Sequence, residues 1–307
     1  MKRAQMLGAG PGSDLVLAGA GAGAGVDKKL VARRFGRHAA EYDGYAEVQQ
    51  VMAAGLAERV RRHHQGSAAR IADIGCGTGG LAVRLCPHYP AAELTLLDLA
   101  PAMLHRAERK LLRHGCPGGQ VRAVAADAEA WAAAQPESGF DLIVSSAAFQ
   151  WFNAPAATLR RLVQLLRPGG LLAFATFLPG TLHELHAAFR QADAEQGRAP
   201  RPRGQAYPSA ADWHGWARDA GGPFLLWEEA SCRCEYGSVP EMLAQVRRIG
   251  AGNALAAGAS GASGASGMSP SLYRRMVQMY QERFGGPDGR IPATYTFVYA
   301  LLGRERE

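Results

Sequence analysis

The sequence predicts an α/β fold in which helices cover both faces of a seven-stranded, doubly wound sheet. Two observations predict it. An apolar run at residues 71–74 leads into a glycine-rich turn and a helix, and the apolar runs at residues 93–97 and 121–125 each end next to an acid. Apolar segments at residues 140–146 and 171–177 supply the fourth and fifth strands, and those at residues 224–236 and 294–301 supply the last two of seven.

The glycine-rich turn is the most informative segment. Residues 71–79 read Ile-Ala-Asp-Ile-Gly-Cys-Gly-Thr-Gly, so an apolar strand passes through Asp73 into closely spaced glycines. Gly75, Gly77 and Gly79 let the backbone approach a ligand that a side chain would hold off, and the next helix points its first amides at that ligand. The spacing differs from the dinucleotide-binding fingerprint. The segment therefore predicts a cradle for a different nucleotide-type cofactor.

An acid at the end of the second strand supports the same kind of cofactor. Asp98 stands where a doubly wound sheet places a carboxylate against ribose hydroxyls. Together these motifs resemble the class I S-adenosylmethionine (SAM) methyltransferases, which implies a Rossmann-like sheet, SAM as cofactor and S-adenosylhomocysteine as product. The resemblance further implies Met103 on the adenine face and Asp127 near the adenine amino group. The predicted cofactor-binding residues are Asp73, Gly75, Cys76, Gly77, Gly79, Asp98, Leu99, Met103, Asp127, Ala128 and Ser145.

Low-complexity segments divide the chain. Residues 1–28 are rich in Gly and Ala and are expected to be a disordered leader, ahead of one methyltransferase domain at residues 29–303. Two helices within residues 29–63 are expected to form a lid. A helical insert at about residues 181–220, after the fifth strand, is expected to cover the substrate. The Gly/Ala/Ser stretch at residues 256–267 is interpreted as a linker in a surface loop.

The composition limits the class of protein. The chain has 307 residues, of which 48% are hydrophobic, and this supports a full core. No apolar run reaches transmembrane length and the start lacks a signal-peptide pattern, so a cytoplasmic protein is predicted. The five cysteines contain no C-x-x-C pair, so neither a disulfide framework nor a zinc site is expected. His183 and His186 lack a third ligand in register, and no metal site is predicted.

The positive net charge limits the kinds of binding partner that the protein can have. The formal net charge is +7, and 30 of the 34 basic residues are arginine. This fits either an arginine-rich solvated surface or an acidic partner. No basic stripe interleaved with aromatic residues is present, so nucleic acid and membranes are not predicted partners.

Other segments carry a narrower resemblance. Residues 34–43 read Arg-Phe-Gly-Arg-His-Ala-Ala-Glu-Tyr-Asp, residues 148–151 Ala-Phe-Gln-Trp, residues 247–251 Arg-Arg-Ile-Gly-Ala and residues 292–295 Pro-Ala-Thr-Tyr. With these segments, most of residues 29–303 resembles the malonyl-acyl-carrier-protein O-methyltransferases of biotin synthesis. The resemblance implies transfer of the SAM methyl group to the free carboxylate of malonyl-acyl carrier protein. The methyl ester then enters synthesis of the pimeloyl chain.

The chemistry of such a transfer suggests few catalytic residues. A malonyl carboxylate is ionised at neutral pH, since carboxyl pKa values lie near ~4, so no general base is required. The resemblance implies Tyr42 as an active-site tyrosine. Gln150 and Trp151 follow a strand tip where methyl transfer is expected, and Arg247 is the candidate to pair with the substrate carboxylate. Packing remains an alternative role for Tyr42 and Trp151.

Two alternatives remain open. Carboxyl O-methyltransferases of the trans-aconitate type share a Gln-Trp pair after the fourth strand, here Gln150 and Trp151. The Tyr42-Asp43 pair and the late segments favour the carrier-protein reading. A SAM-binding regulator or RNA-binding module would use the positive charge, but the acids at Asp73, Asp98 and Asp127 favour an active enzyme.

Overall fold

The computed structural model describes residues 5–7, 25–116, 120–199, 205–249 and 269–305. The chain divides into two compact units. The larger comprises Val16–Leu178, Pro208–Glu229 and Phe297–Glu307, and the smaller Met1–Leu15, Pro179–Tyr207 and Ala230–Thr296. None of the helices in the described residues is both long and apolar enough to cross a membrane.

The strands confirm the predicted α/β fold class. They are β1 Gln5–Leu7, β2 Arg70–Ile74, β3 Glu93–Asp98, β4 Val121–Ala125, β5 Phe140–Ser146, β6 Leu166–Phe177, β7 Phe224–Tyr236 and β8 Ile291–Gly303. The larger unit has the order β7-β8-β6-β5-β2-β3-β4 and the smaller β1-β7-β8, because β7 and β8 run from one unit into the other. Strands β2 to β6 pair in parallel, and β8 is antiparallel to β6. Strands β2–β8 are the seven expected, and β1 is an eighth.

Helices connect the strands in the alternation typical of this fold. They are α1 Lys28–His38, α2 Tyr42–Tyr45, α3 Glu47–His63, α4 Ala82–Leu85, α5 Pro101–Arg113, α6 Ala128–Ala134, α7 Pro155–Leu165, α8 His183–Glu195, α9 Ala210–Asp219, α10 Val239–Arg248 and α11 Pro270–Phe284. Parallel strands buried on both faces read as continuous apolar runs, and residues 142–144 of β5 and 171–175 of β6 do so. The carboxyl ends of β2 to β5 meet at one edge, which is where such sheets bind ligands.

The predicted helical insert is not one element. Helix α8 belongs to the smaller unit and α9 to the larger. In α9, Trp213 is completely buried and packs against Phe149 and Phe174, with ring centroids 6.2 and 5.9 Å apart. A buried Trp contributes a large apolar area, so α9 is part of the core of the larger unit. Residues 200–204, between the two helices of the expected insert, lie outside the described residues.

Hydrogen bonds within the smaller unit give the segment at residues 292–295 a structural role. The buried carboxylate of Glu184 on α8 accepts hydrogen bonds from the Thr294 amide at 3.1 Å and the Thr294 hydroxyl at 2.6 Å. The Tyr280 hydroxyl donates to the Pro292 carbonyl at 2.6 Å. Buried polar groups require such partners, so this segment secures α8 and α11 to β8.

Two findings differ from the sequence predictions. Residues 5–7, within the expected leader, form β1, which pairs antiparallel with β7 through Gln5 and Arg233. Cys86 and Cys116 form a disulfide across 30 positions, whereas the cysteine pattern had favoured no disulfide framework. Connectivity of this kind depends on the fold and cannot be deduced from spacing. The predicted linker at residues 256–267 lies outside the described residues.

Candidate active site

A cavity of about 590 Å³ lies in the larger unit, where β2, β3, β4 and β5 end. It has the size typical of small-molecule sites. Ten predicted site residues line it: Tyr42, Asp73, Gly75, Cys76, Gly77, Asp98, Leu99, Asp127, Ala128 and Trp151. The structure therefore brings together residues from four strand ends and from the helices that precede the sheet.

The glycine turn forms one wall of the cavity. Its backbone geometry explains why glycine stands at positions 75 and 77. Gly75 and Gly77 have φ values of +67° and +54°, a left-handed conformation that side chains disfavour. A Cβ on Gly75 would lie 2.3 Å from the Cβ of Ala148, whereas a Cβ on Gly77 would meet nothing within 4 Å. The open space beside Gly77 belongs to the cavity. Gly77 thus leaves room for a ligand, and Gly75 allows contact between β2 and the tip of β5.

Asp98 joins the second strand end to the glycine turn. One carboxylate oxygen accepts the Gly77 amide at 2.9 Å, and the other accepts the Ala100 amide at 2.8 Å. Burial raises the pKa of Asp98 to about 6, although these two amides oppose the shift. Each carboxylate oxygen keeps lone-pair capacity toward the cavity. Asp98 is placed to accept hydrogen bonds from two neighbouring ligand hydroxyls.

Asp73 is the most unusual group in the wall. Its side chain is buried at the end of β2, and neither carboxylate oxygen has a hydrogen-bond partner among the described residues. Burial raises its pKa to about 7, and the nearby charge of Asp98 adds to the shift. A buried acceptor without a partner is costly, so the site is built for a donor or cation that the polypeptide does not supply.

Asp127 also lines the cavity and has a partner that sequence reasoning missed. Lys28, at the start of α1, contacts Asp127 at 3.2 Å and Glu129 at 2.8 Å. Asp127 also caps α6 by accepting the Glu129 amide at 3.1 Å. Helix α1 is thereby fixed at the predicted adenine end of the site.

Four predicted residues support the site without lining it. Met103 is buried in a small cluster with Ala39, Ala100, Phe35 and Tyr42, so the expectation that it faces adenine was wrong. The Ser145 hydroxyl donates to the Ile74 carbonyl at 2.7 Å and ties β5 to β2. Gly79, at φ +79°, packs so closely on α5 that a Cβ would lie 3.0 Å from the Cβ of Ala107.

Gln150 is the fourth of these residues, and it holds the tip of β5. Its amide nitrogen donates to the Ala147 carbonyl at 2.6 Å, and its amide oxygen is 3.2 Å from the Thr176 hydroxyl. Ala147 lines the cavity with φ +56°, a strained value for a residue with a side chain. Gln150 therefore stabilises a strained turn beside the cavity.

Arg247 does not line the cavity. It is exposed on α10 of the smaller unit. Among the described residues, the arginine in the cavity wall is Arg84 on α4, whose Nη1 donates to the Gly80 carbonyl at 2.6 Å.

Residues 25–45, here called the strap, form a second wall of the cavity. Val31, Ala32, Phe35 and Tyr42 of the strap line it. The Phe35 ring meets Trp151 edge-on, with centroids 5.8 Å apart. Burial, Asp98 and Asp43 together raise the pKa of the Tyr42 phenol, so this group stays protonated and can donate a hydrogen bond.

Asp43 connects the strap to the glycine turn. Sequence reasoning also missed this connection. Its carboxylate accepts the Thr78 hydroxyl at 2.6 Å and pairs with Lys110 of α5 at 2.7 Å. The Lys110 ammonium also donates to the Thr78 hydroxyl oxygen at 3.0 Å. Lys28 and Lys110 are two of only four lysines in an arginine-rich chain, and that rarity was a usable signal.

These residues fit SAM on three observations. Gly77 leaves space that any Cβ would enter, Asp73 offers an unsatisfied carboxylate, and Asp98 has acceptor capacity for ribose hydroxyls. SAM carries an ammonium group, a sulfonium group and two ribose hydroxyls, which these groups complement.

Comparisons with known proteins agree with this geometry. Residues 71–170 match the family described as a methyltransferase domain. The YcgJ protein of Bacillus subtilis has a TM-score of 0.53 at 15% identity, covering 82% of this chain and 98% of that one, which shows the fold alone. A malonyl-[acyl-carrier protein] O-methyltransferase of Paenibacillus sp. is 37% identical over 90% of this chain and 99% of its own length. Its counterpart in Brevibacillus brevis is 35% identical over 89% of this chain and 95% of its own length.

The fold and the cavity define a class I SAM-dependent methyltransferase. The identity over nearly the whole chain is more specific than the fold. The chain belongs to the malonyl-[acyl-carrier protein] O-methyltransferase family.

The state of Asp73 predicts a pH-dependent stability difference in the ligand-free protein. Its folded pKa, about 7, lies above the ordinary value of 3.8, so ionisation of this group lowers the free energy of unfolding as pH rises from about 4 to 7. Asp73→Asn removes that loss. We expect the variant to be as stable as the native protein within about 1 kcal/mol at pH 4 and more stable by roughly 2–4 kcal/mol at pH 8, since one pKa unit corresponds to about 1.4 kcal/mol. Urea unfolding at both pH values measures this, and an equal difference at the two pH values would contradict the assignment.

Proposed function

We propose that this protein transfers the methyl group of SAM to the free carboxylate of a malonyl group carried by acyl carrier protein, which gives the methyl ester used to begin pimeloyl synthesis for biotin. The observation that carries the proposal is the position of Tyr42, whose phenol can donate a hydrogen bond, in the wall of a SAM-type cavity. The family to which the chain belongs supports the same substrate.

The proposed reaction does not require a general acid or a general base from the protein. When bound, SAM supplies a methyl group on a positively charged sulfonium. The malonyl carboxylate is ionised at neutral pH because carboxyl pKa values lie near ~4, so no residue has to remove a proton. A hydrogen bond from Tyr42 to one carboxylate oxygen leaves the other free to react. Tyr42 thus orients the substrate.

The remaining contribution is alignment of the two reactants beside the apolar part of the cavity wall. Phe35 and Trp151 give the wall an apolar, edge-packed surface beside Tyr42. Holding two reactants in a reactive orientation can supply on the order of 7–11 kcal/mol of the barrier in ideal cases. Removing water also strengthens the hydrogen bond from Tyr42 to the carboxylate. We assign catalytic roles to Tyr42 and Trp151, and a positioning role to Gln150.

The proposed partner is an acidic acyl carrier protein in the cytoplasm, with neither nucleic acid nor membrane involved. The chain carries a net charge of +7, which favours encounter with an acidic protein. Arg247 and Arg248 are exposed on α10 and are candidates for such an encounter. The rival trans-aconitate reading relies on the Gln150-Trp151 pair. Because Gln150 is bonded to Ala147 and Thr176, that pair does not favour a small acid as substrate.

A comparison of substrates at two salt concentrations tests this proposal. We expect methylation of malonyl-acyl carrier protein to exceed that of trans-aconitate by at least about 100-fold in kcat/KM, because the acidic partner adds encounter and binding energy. At high salt, where the Debye length falls to about 3 Å at 1 M, the rate with the carrier protein should fall more than the rate with malonyl-pantetheine, which lacks the acidic protein. Equal salt dependence of the two malonyl substrates would contradict the acidic partner, and faster turnover of trans-aconitate would favour the rival.

A further inference from the structure

Side-chain contacts hold the strap at both ends. One end is held by a lysine between two acids, and the other by a group of three side chains. At one end Lys28 bridges Asp127 and Glu129. At the other end Asp43, Thr78 and Lys110 form a closed group in which each side chain contacts both others, at 2.6, 2.7 and 3.0 Å. We call this second group the latch. It joins three separate elements, namely α2, the glycine turn and α5.

Helix α2 needs such an external attachment. It has four residues, far below the length at which a helix is stable alone, and Glu41 provides no side-chain capping bond in the described structure. Its backbone bonds, Gly44 to Glu41 and Ala46 to Tyr42, are 3.0 and 2.9 Å long. The position of Tyr42 therefore depends on what holds its neighbour.

Partial burial of the latch strengthens the contacts that hold the strap. The Thr78 side chain is buried and the Lys110 side chain is only 18% exposed, whereas Asp43 is half exposed. A partly buried ion pair with an additional hydroxyl contact is screened less by water than a surface pair. Opening the strap at this end must separate Asp43 from both Thr78 and Lys110.

We propose that Lys110 and Thr78 are positioning residues for methyl transfer, acting through Asp43 to hold Tyr42 in the cavity wall when SAM is bound. The inference rests on the proposed role of Tyr42. Thr78 belongs both to the latch and to the glycine turn, and it lines the cavity, so it couples cofactor binding to strap closure. Release of the latch opens the side of the cavity next to that turn.

Removing the ammonium group tests the latch. In Lys110→Met we expect kcat with malonyl-acyl carrier protein to fall about five- to tenfold, the effect of losing roughly 1–1.4 kcal/mol of a partly buried charged contact. Hydrogen exchange in the complex with S-adenosylhomocysteine should be faster by a similar factor at residues 42–46 and unchanged in β2 and β3. Arg109→Met is the matched control, because Arg109 is the exposed preceding residue of α5 and does not line the cavity. It should leave both measurements unchanged.

Exchanging the charges tests the pairing itself. Asp43→Lys alone places two ammonium groups together and should lower kcat by at least about tenfold. Adding Lys110→Asp re-forms the pair with its charges reversed, and the Thr78 hydroxyl can then donate to the carboxylate introduced on α5. In the double variant kcat should return to within about threefold of the native value.

Two results would overturn the proposal: failure of the double variant to recover, or native exchange at residues 42–46 in Lys110→Met. The exchange measurement requires no methyl acceptor, so it separates the latch from the proposed function. Faster exchange in Lys110→Met, together with no methylation of malonyl-acyl carrier protein by the native protein, would support the latch and reject the proposed function.

Discussion

Gly77→Val should weaken SAM binding by at least about 100-fold, because a branched side chain would extend into the cavity at the one turn residue whose Cβ has open space on every side. The substitution also strains a backbone with φ +54°, which costs about 1–2 kcal/mol in folding stability for a residue with a side chain. Calorimetric titration with SAM and thermal unfolding separate the two effects.

A second glycine supplies the control for strain. Gly221 has φ +87°, its Cβ would also meet nothing within 4 Å, and it does not line the cavity. Gly221→Val should lose a similar amount of stability and bind SAM as the native protein does. SAM affinity of Gly77→Val within about threefold of native would show that the cradle lies elsewhere.

Tyr42→Phe should lower kcat by about 10- to 100-fold, since a hydrogen bond to a charged group contributes roughly 1.5–3 kcal/mol. SAM affinity should stay within about threefold of native, because the ring still packs against Phe35 and Met103. Single-turnover rates with SAM and malonyl-acyl carrier protein measure the first effect, and calorimetry measures the second.

Tyr45→Phe is a matched comparison, because it removes a hydroxyl from the same short helix at a position that does not line the cavity. A loss of kcat confined to Tyr42→Phe identifies the phenol as the group that matters. An equal loss in both variants, or a parallel loss of SAM affinity in Tyr42→Phe, would instead show that α2 is merely destabilised.

The sequence was most informative for parts of the site that are formed by consecutive residues. The glycine turn and Asp73 occupy one strand end, so their placement follows once β2 is recognised. Asp98 and Asp127 follow from the same rule, because parallel strands end at a common edge. These predictions depend on order along the chain and not on long-range packing.

Other roles depended on contacts between distant elements. Met103 was expected to face adenine, but the rotation of α5 buries it in the cluster with Phe35 and Tyr42 of the strap. Lys28 reaches a partner 99 positions away, and the partner of Lys110 lies on a different helix, so no local pattern announces either pair. Arg247 was placed by resemblance alone and lies on another unit.

Helix α9 illustrates what an amphipathic pattern leaves open. A helix that was expected to cover the substrate contributes Trp213 to the core of the larger unit. Apolar periodicity shows that one face is buried, but it does not show which surface buries it.

The most direct test of the account is transfer of a labelled methyl group from SAM to malonyl-acyl carrier protein, with acetyl-acyl carrier protein in parallel. The account predicts one labelled methyl group per malonyl chain, released as methanol by mild base as expected for an ester, and no label on the acetyl form, which lacks a free carboxylate. Label on the acetyl form, or label on the malonyl form that resists base, would contradict it.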